Sequence, residues 1–308
     1  MRIHTDWKGL TADARGATVA MGNFDGVHLG HRSVIDQARA AHDAPLGVVL
    51  FEPHPREFFC PDGKPFRLMN AESRANRLAR LGVDHLYQLP FGPVLAGLSP
   101  EVFARDVLVE GLGVRHVTVG ADFQFGHQRA GSTETLAALG KALGFGVTVA
   151  PLIGDCDRYS SSAVRTALTE GRPQDAAKML GHWHRIDGEV LHGDARGREL
   201  GYPTANMALD RLHQPAFGVY AVFVDVLTGP DQGSYKGVAS LGVRPMFGEN
   251  KPNLETHLFD FKGDLYGQHL SVALVAYLRP ELKFDSLEAL IAQMDKDSAE
   301  ARKILADG

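Results

Sequence analysis

Strand-like and helix-like patterns alternate through the first half of the chain, and then the alternation stops. Residues 17–22 (ATVAMG), 46–51 (LGVVLF), 85–90, 116–120 (HVTVG) and 147–152 are short apolar runs of the kind that strands buried on both faces require. Helical patterns fill the intervals, near 31–42, 72–81, 100–111 and 134–144. This alternation predicts an α/β fold, a doubly wound parallel sheet with helices over both faces. Such sheets bind ligands beyond the carboxyl ends of their strands, so the loop that follows Gly22 is where a site is expected.

Beyond residue 180 the rhythm changes. Runs at 186–191, 218–225, 235–241, 255–261 and 270–278 read as strands separated by Gly, Pro and Asp turns, and only 286–305 reads as a long helix. Regular strands without intervening helices predict an antiparallel β-barrel or sandwich, here carrying a terminal helix. The boundary falls within 181–185, dividing the chain into 1–182 and 183–308. At 308 residues the chain has about twice the length of a typical domain of ~150, which agrees with two folds.

Composition excludes several classes. No run of about 18 apolar residues is present, so no membrane span is expected. Asp6 and Lys8 interrupt the first ten residues, which therefore do not read as a secretory signal. Lys and Arg total 32 against 37 acidic residues, a net charge of −5 with no basic block, which disfavours general nucleic-acid binding. Cys60 and Cys156 are far apart and read as free thiols in a reducing compartment. A cytoplasmic protein is expected, and no coiled-coil pattern sets its oligomeric state.

The string Gly22-Asn23-Phe24-Asp25-Gly26-Val27-His28-Leu29-Gly30-His31 follows a buried strand and opens a helix. Glycines let the backbone approach a ligand, and the helix start presents N–H groups to an anion. Histidines at i and i+3 can face one side and donate to phosphate oxygens. Where charge grows on phosphate during displacement at an α-phosphorus, fixed donors lower the barrier without a covalent intermediate. Downstream, the hydroxyls of Ser160, Ser161 and Ser162 can cap a helix. The same helix start can also hold a triphosphate, with Arg165 as a charge clamp. In the loop 120–131 (GADFQFGHQRAG), Phe123 and Phe125 either stack on a planar ring or belong to the core, and Gly126 and Gly131 permit close approach. Pro53 and Pro55 stiffen a strand exit that presents His54, either to solvent or to a ligand.

In the second half, GRELGYPTAN (197–206) follows His192-Gly193-Asp194. Its spaced glycines make a loop whose amides can cradle phosphates. Thr204 and Asn206 offer hard oxygen donors suited to Mg²⁺, although a plain turn between strands would use the same residues. In the segment 253–261 (NLETHLFDF), alternation places Glu255 and His257 on the strand face opposite Leu254 and Leu258. A carboxylate there can accept the proton of an alcohol attacking a γ-phosphate, or it can simply face solvent.

These motifs carry a resemblance. GNFDGVHLGHR, FEPHPREFF (51–59), GADFQFGHQRAG and SSSAVR occur in the order found in the adenylyltransferase half of prokaryotic bifunctional FAD synthetases. GRELGYPTAN, GVY (218–220), LGVRP, ETHLFDF and YLRPELKFDSLEAL resemble their riboflavin kinase half. The resemblance implies an HxGH-type nucleotidyltransferase domain and a six-stranded kinase barrel. The chain would phosphorylate riboflavin to FMN with Mg-ATP and adenylylate FMN to FAD with release of pyrophosphate. It implies ATP on Gly22, Asn23, Phe24, Asp25, His28, His31, Ser160, Ser161, Ser162 and Arg165, with His28, His31 and Arg165 in catalytic roles. In the kinase half it implies ATP on Gly193, Arg198, Thr204 and Asn206, Mg²⁺ on Thr204 and Asn206, and Glu255 as base for the riboflavin hydroxyl. Flavin contacts would come from Pro53, His54, Asp122, Phe123, Phe125 and Gly131 in one half, and from Glu255 and Arg279 in the other. The chain departs from the family pattern at Ser162, where threonine is commoner, and at Ser240 and Met246, where asparagine and threonine are usual.

Overall fold

A computed structural model describes residues 1–151, 159–192, 202–246 and 249–306. These form two compact units, residues 1–63 with 71–159, and residues 64–70 with 160–308.

The first unit is built on six strands: β1 (Arg2–His4), β2 (Thr18–Met21), β3 (Leu46–Glu52), β4 (His85–Pro90), β5 (His116–Gly120) and β6 (Gly146–Ala150). They lie in the order β1-β4-β3-β2-β5-β6, and every pairing is parallel. The expected doubly wound sheet is present, and β2 lies where its order reverses, between β3 and β5. All of β2 and the first five residues of β3 are buried, because helices cover both faces. The expected helices appear as α1 (Leu29–Ala41), α3 (Ala71–Arg80), α5 (Pro100–Val102, continuing in wide π-type turns over Phe103–Gly111) and α6 (Thr133–Leu143). Two short ones join them, α2 (Pro55–Phe59) and α4 (Pro93–Ala96). The core on one side of the sheet gathers Met21, Val49, Tyr87, Phe103, Leu108 and Val119. Tyr87 is fully buried, and its hydroxyl donates to the Ala14 carbonyl at 2.9 Å, the pairing that a buried phenol requires.

The second unit opens with two helices, α7 (Ser161–Thr169) and α8 (Pro173–Leu180). Val164, Ala167, Leu168, Ala176 and Leu180 pack there around Leu68 of the 64–70 segment. A six-stranded antiparallel sheet follows: β7 (Arg185–Glu189), β8 (Ala205–Ala208), β9 (Gly218–Val226), β10 (Gly233–Met246), β11 (Glu249–Leu258) and β12 (His269–Arg279), in the order β7-β12-β9-β10-β11-β8. An isolated antiparallel bridge between Leu191 and Asn206 all but closes the ring, with the Leu191 N–H donating to the Asn206 carbonyl at 2.8 Å. The interior is filled by one face of each strand, including Ile186, Met207, Val222, Leu241, Leu254 and Leu274.

The terminal helix α9 (Leu287–Ile304), capped by the Ser286 hydroxyl, lays Ala301 and the following Leu305 on Ala221, Phe259 and Ala276. Arg279 binds Asp297 of this helix through three contacts of 2.6–3.0 Å. Two differences from the expected strands stand out. Residues 205–208 form a strand whose first half falls in the stretch 197–206 expected as a loop, and β11 ends at Leu258, before Asp260 turns into positive φ (+59°). No described helix is long and apolar enough to cross a membrane.

His184 is 4% exposed and its Nε2 meets no hydrogen-bond partner among the described residues. Burial, reinforced by His213 and His182, pushes its pKa down to about 3 from 6.5. As pH falls below 6.5 the unfolded chain takes up this proton first, so the stability that neutral His184 contributes is complete above 6.5 and is lost toward pH 3. Between pH 7 and 5 the loss from this group is about 2 kcal/mol. His184→Leu should remove that part of the pH dependence from urea unfolding of the second unit. An unchanged slope would refute the assignment.

Candidate active sites

At the end of β2 the backbone enters a run of strained conformations. Phe24, Gly26 and Val27 have φ of +50°, +86° and +43°. For a β-branched residue such as Val27 this region is costly, and such strain persists only where the surroundings enforce it. The side chains of Phe24, Asp25 and Val27 are buried, while Asn23 is exposed. Of the expected nucleotide contacts in this loop, Phe24 and Asp25 therefore face inward, and Phe24 packs against the His31 ring with centroids 5.1 Å apart.

His28 is the N-cap of α1, in extended conformation, and its Nδ1 accepts the His31 N–H at 3.2 Å. That bond settles the tautomer. Nδ1 carries a lone pair, so the proton is on Nε2 and the ring presents a donor. The two imidazoles stack with centroids 3.6 Å apart and planes 18° from parallel. The His31 Nδ1 is buried and meets no partner among the described residues. Burial, and secondarily the neighbouring His28, holds the His31 pKa well below the usual histidine value, so at neutral pH it too is an uncharged imidazole. The intervening Gly30 leaves room for this stack: a Cβ there would lie 3.1 Å from the His28 ring and 3.3 Å from the Tyr159 carbonyl, close enough that the ring would have to shift by a few tenths of an ångström.

The other expected residues of the first half have distinct surroundings. His54 caps α2, its Nδ1 accepting the Arg56 N–H at 3.0 Å, while Glu57 returns a bond from the His54 N–H at 3.2 Å. Pro53 and Asp122 are exposed. Phe125 is a core residue packed 5.8 Å from Phe103, whereas Phe123, stacked 5.9 Å from Phe125, is half-buried. Gly131 exchanges both backbone hydrogen bonds with Phe125, and a Cβ on it would lie 2.6 Å from that ring. The close approach that requires this glycine is thus to the protein's own phenylalanine.

Ser160 to Arg165 lie in the second unit. The Ser160 hydroxyl caps α7 by accepting the Ala163 N–H at 3.1 Å, Ser161 is half-buried and Ser162 is exposed. Arg165 donates through Nε to the Phe66 carbonyl at 2.6 Å, with its guanidinium 5.3 Å from the Phe66 ring centre. His213, on the loop after β8, reaches the Arg165 carbonyl at 3.1 Å and the Thr169 hydroxyl at 3.2 Å.

In the barrel, a cleft of about 350 Å³ brings together Thr204, Asn206, Thr256, Lys262, Asp264 and Tyr266. Glu255 is not among its lining residues, because strand alternation sends it to the face opposite Thr256. Asn206 connects the two places: it lines the cleft and stands opposite Glu255 in the β8–β11 register. Behind both lies Asn253, a buried residue the sequence reading passed over. Its Nδ2 donates to Asn206 Oδ1 at 3.1 Å and to Glu255 Oε1 at 3.5 Å. The available signal was its position two residues before Glu255 on the same strand face. Arg279 is held by Asp297 and lies 5.9 Å from the Phe284 ring. Gly193 and Arg198 lie outside the described residues. No group of three or more His, Cys, Asp or Glu side chains among the described residues is placed to hold a metal ion.

Residues 10–164 match the family model described as FAD synthetase, and residues 180–305 match that described as riboflavin kinase. The bifunctional riboflavin kinase/FMN adenylyltransferase of Pseudomonas fluorescens is 43% identical over 99% of this chain and 98% of its own. The Escherichia coli K12 protein of the same name is 39% identical over 95% of this chain and 94% of its own. A crystal structure described as a macrolide-efflux protein from Streptococcus pneumoniae covers 98% of both chains with a TM-score of 0.84 at 30% identity. On the strength of both domains in one order and of relatives matched end to end, the chain belongs to the bifunctional riboflavin kinase/FMN adenylyltransferase family.

Proposed function

We propose that the family's two reactions are divided along the chain, with residues 1–182 adenylylating FMN and residues 183–308 phosphorylating riboflavin. The chain converts riboflavin to FMN and FMN to FAD. The observation that carries the adenylyl assignment is the bond from the His31 N–H to His28 Nδ1, which commits the His28 Nε2 to donation. In that half an FMN phosphate oxygen attacks the α-phosphorus of ATP and pyrophosphate leaves. His28 and His31 donate to phosphate oxygens as charge grows on them, and Ser160, Ser161, Ser162 and Arg165 hold the triphosphate. Two uncharged imidazoles in contact suit this task, since they supply donors without placing like charges side by side. Gly22 and Asn23 contribute backbone at the loop, while buried Phe24 and Asp25 shape it. Pro53, His54, Asp122 and Phe123 are assigned to the flavin, with Phe123 stacked on the core residue Phe125, for whose ring Gly131 leaves room.

In the barrel, Thr204 and Asn206 face the nucleotide. Their hydroxyl and amide oxygens are hard donors that fit Mg²⁺, which when bound with ATP neutralises charge on the phosphates. Asn206 Oδ1 has one lone pair engaged by Asn253 and one remaining. Glu255 accepts the proton of the riboflavin 5′-hydroxyl as that oxygen attacks the γ-phosphorus and ADP leaves. Arg279, fixed to the terminal helix through Asp297, borders the flavin. Neither step needs a covalent enzyme intermediate, so positioning and charge stabilisation carry both. The enzyme is assigned to the cytoplasm, where ATP is supplied.

The test follows flavins by chromatography after incubation with ATP and Mg²⁺, starting in parallel from riboflavin and from FMN. The parent chain should make FAD from both, with FMN transient in the first. His28→Ala should lower FAD formation by roughly 100-fold or more and leave FMN formation intact. Glu255→Ala should stop the kinase, by roughly 100-fold or more, while FMN supplied directly still becomes FAD. FAD formation at the parental rate in His28→Ala would sink the adenylyl assignment. Gly30→Ala, which presses on the His28 ring, should slow FAD formation by roughly 10- to 100-fold with kinase turnover unchanged. Parental activity in that variant would mean the stack is not needed.

A further inference from the structure

Asn253 and Glu255 leave the same face of β11, two residues apart, and Asn206 stands across from Glu255 on β8. Glu255 and Asn206 are half-buried, whereas Asn253 is only 1% exposed. A primary amide buried this deeply on a strand face is unfavourable unless it is paired, and Asn253 is paired on one side only. Its Nδ2 donates to Asn206 Oδ1 at 3.1 Å and to Glu255 Oε1 at 3.5 Å, while its own Oδ1 meets no donor among the described residues. With the Asn206 amide placed as it is, turning the Asn253 amide over would set its carbonyl oxygen against a carboxylate oxygen and a second amide oxygen, which disfavours that orientation.

We propose that Asn253 is a positioning residue of the kinase reaction, whose N–H groups orient Asn206 through a close bond and Glu255 through a longer one. The inference rests on the assignment of Glu255 and Asn206 made above. Asn206 belongs both to the nucleotide cleft and to this triad, and Glu255 belongs only to the triad. A shared donor between them ties the group that takes the hydroxyl proton to the group that faces the phosphates. Phosphoryl transfer is sensitive to the line of approach of the attacking oxygen, so loosening this link should slow turnover more than it weakens flavin binding. The triad lies on two strands joined by regular pairing, which leaves the side-chain amide as the adjustable element.

Two substitutions separate this role from packing. Asn253→Asp keeps size and shape but exchanges the two N–H donors for a carboxyl that is either charged or carries a single O–H, and Asn253→Ala removes the group. Each is read as kinase turnover per folded chain, with FAD formation from supplied FMN measured on the same preparation. Both variants should lose 10- to 100-fold in kinase kcat, with the riboflavin KM within about threefold of the parent and FAD formation from FMN unchanged. In a Glu255→Ala background, Asn253→Ala should cost at least fivefold less than it does in the parent, because part of what it positions is already gone. Parental kcat in Asn253→Asp would show that shape alone suffices and would overturn the proposal. An identical loss in both backgrounds would also overturn it. Glu255→Ala alone tests the underlying assignment: if that single variant keeps parental kinase turnover, the reading of Glu255 as base fails, and the Asn253 comparison then reports on Asn206 only.

Discussion

β2 and β5 are neighbours in the sheet but lead in opposite directions along it, β2 on to β3 and β5 on to β6, so the loop after β2 borders the crevice that opens where the strand order reverses. A parallel sheet buried on both faces offers a ligand no other polar surface of comparable depth. The strained turn over Phe24, Gly26 and Val27 is the means by which the chain makes use of that crevice. It turns sharply enough to set His28 at the start of α1, where the His31 N–H would otherwise be one of the helix's unpaired amides. Capping by an imidazole instead of a hydroxyl pairs that amide and at the same time orients the ring. The geometry of the site thus follows from an ordinary requirement of helix ends.

The barrel meets a different constraint. An antiparallel sheet of six strands must either expose its edges or close, and here β7 and β8 are brought together through the bridge at Leu191 and Asn206. Asn206 has two tasks as a result: its backbone completes the ring at the border of the cleft, and its side chain accepts from Asn253. The terminal helix is secured to the outside of the barrel at its middle by the Arg279–Asp297 pair, which Gln293 joins at 2.8 Å. Toward its end Arg302 pairs with Asp260 and lies 4.2 Å from the Phe259 ring centre, while Lys236 holds the Leu305 carbonyl.

Much of this organisation was legible in the residues. Both fold types, the limits of the four long helices expected in the first half to within about two residues and the terminal helix follow from periodicity, because burial on one or two faces writes itself directly into apolar spacing; the short helices α2 and α4, and α8, do not. What periodicity missed is what tertiary partners decide. β1 has three residues, Arg2, Ile3 and His4, too few to show a pattern, and exists because β4 offers it a parallel edge. β8 is a strand because β11 pairs with it, although Pro203 and Thr204 just before it look like a turn. Phe123 and Phe125 are equivalent in sequence but not in space, since only Phe125 reaches Phe103. Asn253 carried a readable position but no distinctive chemistry until its two acceptors were in place. The anchoring of α7 through Phe66, Leu68 and His213 joins segments about 50 to 100 residues apart, a separation no local pattern records.

The bridge that closes the barrel has one further consequence. The Leu191 amide is protected only while the Asn206 carbonyl accepts it, so its exchange with deuterium reports the opening of the ring at a residue that also lines the cleft. That single amide therefore gives a reading of how firmly the cleft is framed at rest, in a protein to which no flavin and no ATP have been added.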